Sequence, residues 1–189
     1  MNLHGDLYQS FSDQRFRATL KRLGKIKEPV LDIGCQNKFS QDLKSRLDIR
    51  SLTNTSGDLN YCLWRPDNDD DGYGRWEPFG TVFCFEVIEH LMSPWLMLER
   101  LKFYISPETD IYLTYPRRME MFWTHHHFHE YSKKRFRYML SDLRYTIREY
   151  DWWWYHPLYF PKGIRPLLRL TPIAMTRQQF YRLRYEPST

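Results

Sequence analysis

The residues able to do chemistry in this 189-residue chain gather just behind short apolar runs. Asp32 and Gly34 close the run Pro29-Val30-Leu31-Asp32-Ile33-Gly34, and Glu86 follows Thr81-Val82-Phe83-Cys84-Phe85. Asn54 and Thr55 follow Ile49 to Thr53, with Asp58 and Leu59 shortly after. His90 lies four residues past Glu86, and His125, His126, His127 and His129 come after the run that ends at Tyr115. A carboxylate can hold a cation or accept a hydrogen bond from a ligand. A histidine, with an ordinary pKa of about 6.5, can move a proton at neutral pH. Taken singly, Asp32, Asp58 and Glu86 read as turn caps. Taken together, they read as a binding set.

Such a set needs strands and helices to position it. Helical spacing predicts helices over Ser12–Leu23 (through Phe16, Leu20 and Leu23, stopped by Gly24) and over Lys38–Leu47. Ser93 as N-cap and Pro94 at the first helical position predict a third helix, running to about Tyr104 and broken by Ser106-Pro107. Ser132 can cap a fourth, with Phe136, Met139, Leu140 and Leu143 inward. Short strands are expected at 29–34, 49–53, 81–85 and 110–115, the last stopped by Pro116. Tyr145–Tyr150 and Gln179–Tyr185 alternate like strands. Between them, about 152–178, Trp152-Trp153-Trp154 and four prolines read as a loop-rich insert. Strands alternating with helices predict an α/β fold with a mainly parallel sheet, which takes ligands at the carboxyl ends of its strands.

Composition narrows the classes. Charged residues at 27% and hydrophobic residues at 42% are globular values. Three widely spaced cysteines, Cys35, Cys62 and Cys84, exclude a disulfide framework and a zinc ribbon. No run of about 18 apolar residues occurs, and the first residues lack an apolar signal-peptide core. The expected address is the cytoplasm. The formal net charge is +5, yet residues 133–189 hold twelve Lys/Arg against four Asp/Glu. That basic, aromatic third could meet nucleic acid, an anionic membrane surface or an acidic substrate, or be a solvated face. Without arginine-glycine repeats, fingers or a compact lysine block, nucleic acid is not the expected partner.

Four segments, in order over roughly residues 10–145, resemble class I S-adenosylmethionine-dependent methyltransferases, in particular the compact branch that acts on small molecules, lipids and glycans. They are Val30-Leu31-Asp32-Ile33-Gly34-Cys35; Gly57-Asp58-Leu59-Asn60; Phe83-Cys84-Phe85-Glu86-Val87-Ile88-Glu89-His90-Leu91; and His126-His127-Phe128-His129-Glu130-Tyr131-Ser132. The resemblance implies a single Rossmann-like domain over 1–189, with a seven-stranded-type sheet, flanking helices and the C-terminal aromatic insert as a substrate cap. It implies S-adenosylmethionine as cofactor and S-adenosylhomocysteine as product. The cofactor-binding residues would be Asp32, Gly34, Cys35, Lys38, Asn54, Asp58, Leu59, Phe85 and Glu86. His127 and His90 would lie on the side of the methyl acceptor, for positioning or as a base.

The chain also departs from the family pattern. Gly-x-Gly-x-Gly is replaced by Gly34-Cys35-Gln36-Asn37-Lys38, and the usual ribose-binding acid after the second strand by neutral Asn54 or Thr55. A catalytically inactive binding protein with an eroded cofactor loop is therefore a second reading, and a basic nucleic-acid module a third. No metal ligands are assigned. Asp67-Asn68-Asp69-Asp70-Asp71-Gly72 begins like a calcium loop, but position 12 is Pro78, with Glu77 one short. Adjacent histidines do not easily share one tetrahedral ion without a third partner of set geometry.

Overall fold

Alternation of apolar side chains across the strands builds the molecule in three layers. The computed structural model describes residues 14–34, 38–61, 63–67, 77–117, 127–129, 131–155 and 176–187. Residues 14–20 form helix α1. There follow β1 (Val30–Asp32), α2 (Lys38–Arg46), β2 (Leu52–Ser56), β3 (Arg65–Pro66) and β4 (Phe79–Phe85). A 3-10 turn (Ile88–His90) leads to α3 (Pro94–Leu101), β5 (Ile105–Arg117), α4 (Lys133–Asp142), β6 (Tyr145–Tyr155) and β7 (Thr176–Tyr185). The seven strands form one sheet in the order β3-β2-β1-β4-β5-β7-β6. β1 pairs in parallel with β2 (Leu31 beside Thr53) and β4 (Leu31 beside Val82), and β4 in parallel with β5. β7 runs antiparallel to both β5 and β6.

Successive strand residues face opposite sides. Leu31, Val82, Cys84, Ile111 and Leu113 pack on one face with Met97, Leu98 and Leu101 of α3 and Phe136 and Leu140 of α4. Val30, Phe83, Tyr112 and Phe180 pack on the other, with Phe16 of α1 and Leu43 of α2. The expected α/β architecture is therefore present.

Several element limits differ from the sequence expectation, each for a physical reason. β2 begins at Leu52 rather than Ile49. Ile49 is buried in the turn that ends α2: its N–H bonds the Lys44 carbonyl at 3.0 Å, behind Asp48 in the left-handed region (φ 50°). Ser106-Pro107 does not break the chain but lies inside β5, where the pairing with β4 shifts register between Phe79 and Thr81. Thr109 holds that irregularity, accepting the Ser106 N–H at 2.9 Å and donating to the Phe79 carbonyl at 2.6 Å. Pro116 does not end β5 either. The Thr114 carbonyl still accepts the Glu86 N–H, whereas Pro116, two residues on, lies past the end of the β4 ladder and disrupts no bond there.

Trp152-Trp153-Trp154 belong to β6 rather than to a loop, and Thr176–Gln178 to β7. Tryptophan suits a pleated, half-buried surface. Trp153 packs on the α1/α2 face of the core, while Trp152 and Trp154 are exposed on the opposite face, edge to face at 5.6 Å. Residues 156–175, the centre of the expected insert, lie outside the described residues. The two expected caps differ. Ser132 accepts the Arg135 N–H at 3.3 Å, whereas the Ser93 side chain makes no capping bond and only Pro94 marks the start of α3.

One buried charge joins β5 and β7. Asp110, fully buried, meets Lys27 Nζ and Arg182 Nε at 3.0 Å and Arg184 Nε at 3.1 Å. Burial alone would raise its pKa, but bonds from Arg182, Arg184 and Lys27 reverse that and hold it at about 2. A carboxyl depressed on folding stabilises the native state above its unfolded pKa and loses that contribution as pH falls through the folded value. We expect Asp110→Asn to destabilise the protein by on the order of 2 kcal/mol at neutral pH. The difference from wild type should vanish between about pH 4 and pH 2, as read from urea midpoints along that range.

Candidate active site

The connections after β1 and β4 leave on opposite faces. α2 joins the core face that holds Val30, and α3 the face that holds Leu31. Adjacent parallel strands whose connections diverge leave a crevice at their carboxyl ends. Asp32, Gly34, Lys38, Asn54, Phe85 and Glu86 all stand around it, at the ends of β1 and β4, in the middle of β2 and at the start of α2. Cys35 lies outside the described residues.

The first wall is the turn after β1. Gly34 has φ +130°, a region an L side chain rarely adopts, while a Cβ there would meet only Val87 Cγ2 at 3.7 Å. Backbone conformation, not crowding, calls for glycine. Its N–H donates to Thr55 Oγ1 at 3.0 Å. Beneath it lies a polar cluster: Asp32 accepts a short hydrogen bond from Ser40 Oγ and a longer one, 3.3 Å, from Asn54 Nδ2, which also donates to Ser40 Oγ at 3.1 Å. Burial pushes the Asp32 pKa up to about 6, against the opposing effect of the bonds from Ser40 and Asn54. Asn54 and Thr55, which stand where a ribose-binding acid is usual, are thus occupied in bracing the first turn. Lys38 is exposed at the first position of α2, whose first turn holds no acidic residue.

The second wall centres on Glu86. Its backbone is in the left-handed region (φ 58°), which costs a non-glycine residue roughly 1–3 kcal/mol and is characteristic of functional sites. Oε1 accepts from Thr114 Oγ1 at 3.0 Å and, through a short bond, from Gln178 Nε2; Oε2 pairs with Arg15 at 3.1 Å. Phe85 beside it stacks on Phe83 and meets Phe39 of α2 edge on.

The third wall is a stitched series of loops. Asp58 is exposed, and its carboxylate accepts the Asn60 N–H at 2.8 Å. Leu59 is half-buried against the core. The Asn60 side chain in turn accepts the Met92 N–H at 2.7 Å, and His129 Nε2 lies 3.1 Å from the Met92 carbonyl. The Glu89 carbonyl accepts from the N–H groups of Phe128 (2.7 Å) and His129 (3.3 Å). This pins the histidine segment to the 3-10 turn, and the His90 and His127 rings meet at 4.7 Å. His125, His126 and Glu130 lie outside the described residues.

Sequence reasoning missed Arg15, Ser40, Thr55 as a brace, Thr114, Gln178 and Glu89. Thr114 lies one residue before the end of the strand expected to carry site residues; Gln178, 92 residues from Glu86, gives no sequence signal.

No family model and no curated protein matches the chain by sequence. Solved structures do match. Phosphoethanolamine N-methyltransferase 2 of Haemonchus contortus, crystallised with S-adenosyl-L-methionine, superposes with a TM-score of 0.62 at 12% identity, over 92% of this chain. The chain spans only 53% of that protein. An S-adenosylmethionine-dependent methyltransferase from Anabaena variabilis gives 0.59 at 10% identity, covering 96% of this chain and 94% of its own. One from Archaeoglobus fulgidus gives 0.57 at 11%, covering 92% and 93%. The chain has the class I methyltransferase fold: a mostly parallel Rossmann-like sheet closed by antiparallel C-terminal strands.

The Asp32 cluster makes a checkable statement about pH. An acid whose pKa is raised on folding favours the native state while protonated and loses that contribution as pH rises from its unfolded value to its folded value. Asp32→Asn should therefore remove a decline in stability, on the order of 3 kcal/mol, between about pH 4 and pH 6. Urea midpoints of the wild type and the variant should diverge over that interval; parallel curves would show that Asp32 is not a strained buried acid.

Proposed function

We propose that the protein is an S-adenosylmethionine-dependent methyltransferase acting on a small molecule, glycan or lipid. The observation that carries this is the crevice at the β1/β4 switch point, with a positive-φ glycine turn, a helix start free of acidic side chains and two carboxylates at the strand ends. These residues fit the cofactor. The first turn of α2 and Lys38 are suited to its carboxylate. Asp32 and Glu86 favour its ammonium and sulfonium cations. Leu59 and Phe85 would offer apolar surface to the adenine, and Asp58 would accept a hydrogen bond from the adenine amino group or the ribose. When bound, the cofactor supplies an electrophilic methyl group for in-line displacement. The chain's own contribution is chiefly alignment of the acceptor, which can be worth about 7–11 kcal/mol.

His90 and His127 form the acceptor side of the crevice in this reading. Trp152 and Trp154 are exposed, and Arg177 stacks on Trp152 at 3.8 Å. A basic aromatic surface of this kind supports peripheral contact with a membrane carrying a lipid acceptor. Among the described residues no helix is long and apolar enough to cross a membrane, and a cytoplasmic address is part of this proposal.

Calorimetric titration tests it. S-adenosylmethionine and S-adenosylhomocysteine should both bind with dissociation constants of roughly tens to hundreds of micromolar. A micromolar complex is about −8 kcal/mol, and the lost turn glycines and ribose carboxylate should reduce that by about 2–4 kcal/mol. Lys38→Ala, at an exposed position, should weaken both about threefold to tenfold without changing the thermal midpoint. Folded protein that gives no heat at millimolar ligand would overturn the reading.

A further inference from the structure

Glu89, His90 and His127 converge: one ligand atom from each lies within 4.8 Å of the other two. The convergence is built rather than accidental. The Glu89 carbonyl takes two N–H groups from the histidine segment, so its backbone is fixed against the 3-10 turn. His129, next but one, is directed away to the Met92 carbonyl. Glu89 is 1% exposed, His127 half-buried and His90 exposed, which gives a buried anchor with an open outer side. Histidines in sequence do not make an ion site by themselves, but the fold brings one of them to a glutamate and a second histidine on another element.

We propose that Glu89, His90 and His127 form a site for one divalent transition-metal ion. Two imidazoles and one carboxylate are a donor set that suits zinc, iron, cobalt or manganese, and three protein ligands leave coordination positions for another molecule. Ligand atoms on a tetrahedral ion held at about 2.0–2.1 Å lie about 3.3–3.5 Å apart. His90 Nε2 is already 3.9 Å from Glu89 Oε1, so a small rotation of the exposed His90 ring completes that pair. The ion also places positive charge beside a buried carboxylate, where it is favoured.

The ion site stands on its own geometry; its use rests on the methyltransferase reading. On that reading the open positions take the oxygen of an acceptor hydroxyl. The metal-bound hydroxyl releases its proton to solvent more readily than a free one. The oxygen then bonds to the methyl carbon as the carbon–sulfur bond breaks, its electron pair staying on sulfur to give S-adenosylhomocysteine. His90 and His127 then serve as ligands, not as a base, and the acceptor class narrows to oxygen nucleophiles.

Cobalt(II) titration of the full-length, untagged, chelator-treated protein tests the site through its visible d–d absorption. One equivalent should bind and be displaced by zinc. His90→Ala, at an exposed position, and His127→Ala should each weaken binding by at least about tenfold, with circular dichroism unchanged. Glu89→Gln should do the same where it folds. No stoichiometric binding at about 100 µM, or binding that survives His90→Ala and His127→Ala, would overturn the proposal. Calorimetry with S-adenosylhomocysteine on the same samples separates the two readings. Metal binding without cofactor binding keeps the ion site and removes the methyltransferase, and the converse removes the ion site alone.

Discussion

The Glu86 carboxylate is the contact on which the site depends. It stands at the end of β4 in a conformation that a non-glycine residue resists, and it is held there from three directions. Thr114 reaches it from β5, Gln178 from the reversed strand β7, and Arg15 from α1. These groups are distant in sequence, so the sheet must be assembled before Glu86 is fixed. A partly buried carboxylate left without donors is costly, and this acid joins Arg15 and Gln178 to the central strands. The crevice is thus a consequence of tertiary assembly rather than of a local motif.

The turn after β1 is held in place from beneath rather than by its own sequence. One glycine with positive φ is retained, and bonds beneath the turn brace it: Thr55 receives the Gly34 N–H, while Ser40 and Asn54 hold Asp32. Thr55, Asn54 and Ser40 anchor the turn to β2 and α2.

Much of the fold was legible because burial leaves periodic signals. Val30-Leu31-Asp32 and Thr81–Phe85 read as buried strands and are so, and Phe136 and Leu140 are inward on α4 as their spacing requires. Signals failed where a local preference was overridden. Ile49 is apolar but is buried by a turn, and Ser106-Pro107 is tolerated because a register shift removes the demand for regular pairing. The acids at the strand ends were legible by type and place, but their partners were not. A hydrogen bond from Gln178 to Glu86 spans 92 residues and has no period. Glu89 lies inside a recognisable motif, yet nothing in its spacing says that it meets His127.

Among the described residues the last strand in the sheet order, β6, has β7 alone as its neighbour along eleven residues, three of them consecutive tryptophans. A long, flat, hydrophobic edge is a template for pairing with other chains and hence for aggregation. Here the register shifts between Ile147 and Glu149, which adds local twist, and charged residues interrupt the strand at Arg148, Glu149 and Asp151. Arg177 covers one face of Trp152, and Arg22 covers Trp153 while pairing with Asp151 at 2.6 Å. The cations at this end of the molecule thus cover apolar ring faces along a strand rich in tryptophan, the role that gatekeeper residues play beside hydrophobic strands.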